Sequence, residues 1–155
     1  MSAKLIRATG LVWLTAMLAL LAGGVACAQA AELKFQSFLL WGTDNPKPPE
    51  GKNYQAIAPD VRQKLKDLPL KWTNWFEVNR KDFVLAEAKA SEVPMSEKCK
   101  LNVKKLGASD VEVCLIGKGK EVVRRRQSLP KGEMLVLGGN APNSTAWLVV
   151  LKRIE

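Results

Sequence analysis

Histidine is missing from the whole chain, and the 155 residues include only one tyrosine and three cysteines. The absence of histidine removes the commonest general base and the commonest side-chain ligand of transition metals. No G-x-S-x-G motif marks a serine nucleophile, and no D-x-D-x-D-G calcium loop occurs. We therefore expect no catalytic site of a known motif, no metal site and no cofactor.

The first 30 residues have the three-part order of a Sec signal peptide. Lys4 and Arg7 form a positive start, residues 11–21 are an apolar run, and Gly23 and Gly24 follow. The run is short for a bilayer span, which needs roughly 20 apolar residues. Small residues then supply two A-x-A cleavage sites, at 26–28 and 28–30. This order predicts export to the periplasm or the extracellular space, with residues 31–155 as one β-rich domain.

Two other fates of this segment stay open. Cys27 could become a lipidated first residue, although Gly24 stands where the lipoprotein peptidase prefers a leucine-like residue. The segment could also stay uncleaved as an anchor. In both cases the domain would remain at a membrane instead of being released.

The chain is basic along its whole length. Its net charge is +9, and Lys4 and Arg7 account for two of these charges, which leaves +7 after cleavage. An excess of positive charge suits anionic partners such as envelope polymers, acidic membrane surfaces or nucleic acid. It also keeps a protein soluble without any partner.

Two cysteines, Cys99 and Cys114, remain after cleavage at the signal site. An even pair in an oxidising compartment predicts a disulfide. Alternation along the two strands that carry them places them on opposite faces, so a bulge would be needed to bring them together. Two buried free thiols are the alternative.

Alternating and apolar segments predict a mainly β fold with one helix. Pro59 and Asp60 suit the first turn of a short amphipathic helix near residues 59–68, and Pro69 closes it. A Pro-rich loop over residues 42–52 precedes the helix. Asn79 and Arg80 suggest a turn between two strands. The predicted strands cover residues 32–41, 70–78, 82–88, 98–105, 111–116, 121–127, 134–137 and 146–153, with residues 91–96 irregular or an edge.

Several short strands separated by regular turns predict a small antiparallel β-sandwich. Residues 129–133, Leu-Pro-Lys-Gly-Glu, are followed by Met-Leu-Val-Leu. This corner resembles the strand-to-strand corner of immunoglobulin-like sandwiches in exported proteins. The resemblance covers about ten residues and implies an immunoglobulin-like arrangement.

Aromatic and basic side chains are the candidates for a ligand surface. Strand parity assigns Trp72, Phe76 and Trp147 to the core and turns Trp75 toward the opposite face. Exposed aromatic rings can stack on a sugar or a base, or hold a protein partner. Consecutive arginines on one strand must point to both faces, which also fits a charged edge strand. The candidate ligand residues are Trp41, Tyr54, Trp75, Lys118, Lys120, Arg124 and Arg126.

These observations favour a secreted or periplasmic binding or accessory domain that is not an enzyme. Its partner is open between an anionic envelope polymer and an envelope protein. The alternative function is a small hydrolase or lyase that acts on an anionic envelope polymer. Nucleic-acid binding has the charge but is disfavoured by the export signal.

We expect the exported protein to begin at Gln29, Ala31 or Glu32, because cleavage follows the small residues of the A-x-A sites. The intact mass of the protein purified from the export compartment measures this. A product that begins at a diacylated Cys27 would contradict the prediction.

Overall fold

The structure, a computed structural model, describes residues 32–86, 89–141 and 145–155. The predicted signal peptide, with Cys27, lies outside the described residues. Two antiparallel sheets pack face to face, and one helix covers the outer side of the first sheet. The elements are β1 (Leu33–Thr43), β2 (Gln55–Ala56), α1 (Pro59–Lys66), β3 (Asn74–Leu85), β4 (Ser91–Ser96), β5 (Cys99–Lys105), β6 (Asp110–Gly117), β7 (Lys120–Ser128), β8 (Met134–Ala141) and β9 (Thr145–Arg153).

The five-stranded sheet has the order β2-β3-β1-β9-β8, and the four-stranded sheet has the order β4-β5-β6-β7. The predicted β-sandwich with one short helix is confirmed. The second sheet is a simple meander of consecutive strands. Immunoglobulin sandwiches instead divide their strands as ABED and CFG. The corner at residues 129–133 therefore shares with them a sandwich architecture and not this strand order.

β1 is the central strand and is buried on both faces. Phe35 and Leu39 point into the space between the sheets, where they join the larger apolar cluster. Phe38 and Leu40 point to the outer face, where they meet a second cluster with Val61 of the helix. Successive side chains of a strand alternate between faces, so only an apolar run can serve two cores at once.

The helix forms where its first turn was predicted and ends two residues earlier, at Lys66. Pro59 occupies the first helical position, where no backbone N–H is needed. Asp60 lies in the first turn and forms an ion pair with Lys152 of β9. Val61 and Leu65 are the buried side chains of the helix. They seal the outer face of the five-stranded sheet.

The predicted turn at Asn79–Arg80 is wrong, because β3 runs through it as one strand of 12 residues. Leu39 pairs with Asn79 and Leu40 pairs with Glu77, so one extra residue forms a β-bulge at Val78. The polar side chains that suggested a turn have partners here. Asn79 Nδ2 donates to the carbonyl oxygen of Met95 at 2.7 Å. Because of this extra residue, side chains before and after Val78 follow opposite in–out patterns along β3. The turn-forming residue types Asn and Arg gave no indication of this bulge.

Two edge strands match the expectations from sequence. β4 is the edge that carries Pro94, and β7 is the edge that carries the arginines. Proline and charge both discourage a strand edge from pairing with another chain.

The predicted disulfide between Cys99 and Cys114 does not form; both cysteines are free. Cys99 pairs with Gly117 and Cys114 pairs with Asn102, in a β5–β6 register without a shift. The two side chains therefore lie on opposite faces, and the bulge that a disulfide would need is not there. Burial raises the pKa of both thiols.

The Glu77 carboxylate is the one buried acidic group of the described residues, at 7% exposure. Arg80 donates to it twice, from Nε at 2.9 Å and from Nη2 at 2.8 Å. The Arg80 guanidinium also lies over the Phe38 ring, 4.8 Å from its centre. A buried charge without a partner is costly, so this pair holds the bulged segment in place.

We expect Arg80→Met to lower the free energy of unfolding by about 2–3 kcal/mol, because it leaves the buried Glu77 unpaired. The value is below that of a fully buried pair because Arg80 is itself partly in solvent. Urea denaturation measures it, and Lys81→Met, at the exposed neighbouring position, is the matched control. The double variant Glu77→Leu/Arg80→Met should recover most of the loss. Equal stability of Arg80→Met and Lys81→Met would refute the role of the pair.

Candidate functional site

A row of aromatic side chains crosses the five-stranded sheet just beyond the end of the core. On the face between the sheets, Leu39, Val149 and Leu137 form the last row of the buried cluster. The next residues on that face are Trp41 of β1 and Trp147 of β9, together with Phe76 of β3 and Tyr54 just before β2. We call Tyr54, Phe76, Trp41 and Trp147 the aromatic row. None of them belongs to either buried cluster.

Strand pairing sets the geometry of this row. Trp41 pairs with Phe76 on one side and with Trp147 on the other. The Trp41 and Phe76 rings are tilted by 32° with centres 6.1 Å apart. Tyr54, just before β2, meets the Trp41 ring edge-on, with centres 5.9 Å apart. Such edge-on and tilted contacts are the favoured geometries of aromatic pairs, and they hold the rings in fixed positions.

Phe76 and Trp147 were expected in the core, and neither belongs to a buried cluster: Phe76 is half-buried and 39% of the surface of Trp147 is exposed. Alternation does turn Trp147 inward with Val149 and Leu151, but it lies beyond the last buried row. Its partner on β8 is Gly139, and a Cβ atom added there would meet nothing within 4 Å. The outer side of the Trp147 ring is therefore open.

Trp75, a predicted ligand residue, lies on the other face of the sheet from the aromatic row. It packs against the helix-side cluster. A Cβ atom at Gly42 would come within 2.5 Å of its ring, so the ring lies flat on the β1 backbone. Trp75 Nε1 donates to the carbonyl oxygen of Trp72 at 3.2 Å, and the two rings meet edge-on. Strand alternation correctly placed Trp75 and Phe76 on opposite faces of the sheet. The face that carries Trp75 is covered by the helix and is not free for a ligand.

Lys118 and Lys120 lie at the same end of the sandwich as Trp41. At the opposite end, Arg153 Nη1 donates to Ser109 Oγ at 3.1 Å, just before β6 begins. β6 runs away from that end, so the β6–β7 turn reaches the end where β1 finishes. Lys118 and Gly119 form this turn with φ of 50° and 76°, as a two-residue hairpin with left-handed residues requires.

Arg124 and Arg126 share the outer face of the four-stranded sheet with two carboxylates. Arg124 Nη1 donates to Glu112 at 2.9 Å, and Arg124 Nη2 donates to Glu121 at 2.6 Å. Arg126 Nε donates to the other oxygen of Glu112. Two cations therefore face two anions, and little net charge is left for a ligand at these predicted positions.

The ion pairs change the acidity of both carboxyls. The Arg126 guanidinium, with help from Arg124, holds the pKa of Glu112 below its usual range. Arg124 does the same for the pKa of Glu121, which also accepts a hydrogen bond from Cys114 Sγ. The same contacts raise the pKa of Arg124. The four charged side chains of this cluster on the four-stranded sheet are therefore paired with one another.

One motif escaped the sequence analysis. Ser128 and Lys131 have the S-x-x-K spacing of some serine acyl enzymes. Both are exposed at the corner between β7 and β8. Within the described residues, no group of three or more potential ligands could hold a metal ion, and no helix is long and apolar enough to cross a membrane.

The comparisons with known proteins add no family to this geometry. No protein-family model matches the chain, and no curated protein or solved structure matches it significantly.

We expect Glu112→Gln to flatten the loss of stability in acid. A carboxyl whose pKa is lower in the folded state stabilises the fold above its unfolded pKa of about 4.3, and this contribution disappears as pH falls through the folded value. Urea unfolding at intervals from pH 6 to pH 2.5 measures the slope. Glu97→Gln, in the exposed β4–β5 turn, is the matched control. Identical slopes for wild type and Glu112→Gln would contradict the prediction.

Proposed function

We propose that the protein is an exported, non-enzymatic binding domain and that the aromatic row is its ligand surface. The observation that carries this proposal is the exposure of Trp147 beside Trp41, on a sheet face that is otherwise closed by the second sheet. Single exposed apolar side chains are normal on protein surfaces, but a contiguous group of aromatic rings marks an interaction site. The segment before residue 31 supports export.

The shape of the row favours a polymer over a small compact ligand. Neighbouring strands lie about 4.8 Å apart, so the aromatic side chains from Phe76 to Trp147 cover two strand intervals, about 10 Å. Aromatic faces over this length suit a chain of stacked rings. The row lies on the sheet surface. Beyond Trp147 the surface stays open over Gly139 of β8, where no side chain blocks a longer ligand.

The charges at this end favour an anionic polymer. Lys118 and Lys120 lie in the exposed β6–β7 turn, and neither makes an ion pair in the described part of the chain. Free ammonium groups at the same end of the sandwich as the aromatic row suit carboxylate-bearing or phosphate-bearing sugars. We therefore propose an anionic polysaccharide of the cell envelope as the ligand. A hydrolase or lyase acting on the same polymer is the alternative function, and it would need convergent acid and base groups beside the row.

We expect the protein to be retarded in native gels that contain alginate, a carboxylate-bearing polysaccharide, and to run freely in dextran, a neutral one. Polyphosphate tests the contribution of charge without sugar rings. Trp147→Ala should weaken alginate binding about tenfold, a loss of about 1.4 kcal/mol. Release of new reducing ends or unsaturated products from alginate would favour the enzyme alternative.

Two controls separate stacking from simple charge attraction. Trp75→Phe changes a tryptophan on the covered face and should leave alginate binding unchanged. Lys118→Gln should weaken binding in low salt more than in high salt, because exposed charges are screened. Equal retention by polyphosphate and alginate, with no effect of Trp147→Ala, would refute the aromatic row as the ligand surface.

A further inference from the structure

Three of the four sheet edges carry devices that discourage pairing with another chain, and the fourth does not. β7 carries arginines, β4 carries Pro94, and β2 is only two residues long. β8 has the sequence MLVLGGNA, without a charge or a proline. Natural proteins guard long apolar edges because unpaired N–H and C=O groups can bind any extended chain. The β8 edge is therefore an exception within its own molecule.

The backbone groups of β8 that face outward can be identified. The Arg153 N–H donates to the Glu133 carbonyl, which fixes the phase of the β8–β9 ladder. Residues alternate in an antiparallel ladder, so Leu135 and Leu137 bond to β9. Met134, Val136 and Gly138 then direct their N–H and C=O groups to the free edge. In the described part of the chain, no hydrogen bond reaches that edge.

A groove runs along the same edge, with a volume of about 450 Å³. Its apolar wall on the helix side consists of Leu68, Leu70, Met134, Val136 and Leu148. Gly138 lies on this wall in close contact with Leu148, since a Cβ atom there would lie 2.4 Å from Leu148 Cδ2 and from the carbonyl oxygen of Trp147. An added strand would turn every second side chain into this apolar wall.

The other face of an added strand would meet polar and positive groups. Gln127 of β7 forms that side of the groove. Arg125 lies on the same face of β7, paired with Val113, and makes no ion pair within the described residues. Acidic side chains suit the side of the edge that Gln127 and Arg125 form. Lys64 adds a second positive group to the groove, on the opposite, helix side.

We propose that β8 binds an extended segment of a partner protein by β-strand addition, and that this segment alternates apolar with acidic residues. Main-chain hydrogen bonds supply the affinity in this mode, and the alternate side chains supply the specificity. A second copy of this chain fits less well, because it would bring its own Lys64 and Arg125, and a net charge of the same sign, to the contact.

A synthetic peptide tests the proposal with the protein purified after expression of the full chain. The probe is an eight-residue peptide of alternating valine and glutamate, capped at both ends and labelled for fluorescence anisotropy. Hydrogen exchange measured by NMR should show protection of the amides of Met134, Val136 and Gly138 when the peptide binds. A peptide of the same composition with valines and glutamates in separate blocks should bind at least tenfold more weakly.

Variants assign the contact to the two faces. Val136→Lys places a positive charge on the β8 edge, as the arginines do on β7, and should reduce the affinity for the peptide at least tenfold. Val122→Lys on β7 is the matched control. Arg125→Glu should reduce affinity for the alternating peptide, whereas Lys104→Glu should not. Thermal melts establish that each variant is folded.

Three results would overturn the proposal. The first is peptide binding without protection of the three amides, and the second is no binding by the folded wild type. The third is protection of these amides without peptide together with a dimer in sedimentation velocity, because the edge would then belong to a second copy. None of these results bears on alginate binding, which depends on the aromatic row at another part of the sheet.

Discussion

The two-sided burial of β1 is the constraint on which the remaining structure depends. Phe35 and Leu39 hold the second sheet, while Phe38 and Leu40 hold the helix. The same strand pairs with β3 on one side and with β9 on the other. Both apolar clusters and both neighbouring strands therefore depend on the position of β1. Beyond Leu39 this strand leaves the apolar cluster between the sheets, and Trp41 lies there half-buried.

Strand alternation made most of the sandwich predictable, including the charged edge at β7, and Pro59 with Asp60 indicated the helix start. Alternation is a local property, and the features that it missed are not local. The bulge at Val78 depends on the pairing partner of β3. The position of Trp147 depends on where the opposite sheet ends. Alternation did place Cys99 and Cys114 on opposite faces, as the β5–β6 register does; the wrong disulfide prediction came from the even number of cysteines in an oxidising compartment. A single sequence carries none of these relations explicitly.

Contacts between strands distant in the sequence also decided which candidate ligand residues lie together and which do not. Trp41 and Tyr54 come together because β2 returns beside β3, and Trp147 joins them from the other end of the chain. Arg124 and Arg126 instead meet Glu112, which is their neighbour only across the β6–β7 pairing. Basic residues in sequence therefore indicate a charged surface only after their cross-strand partners are known. Here the charges of Arg124 and Arg126 are balanced by carboxylate partners, whereas Lys118 and Lys120 have no such partner within the described residues.

The order in which the strands are made has a consequence for when the molecule can acquire its shape. β5, β6 and β7 are consecutive and pair through short turns, so their meander can form as soon as it is available. β1 is made first, yet its partner β9 is made last: Phe35 pairs with Arg153. Loop closure over most of the chain must precede that pairing. The central strand thus has no partner on its β9 side until residues 145–153 have been synthesised.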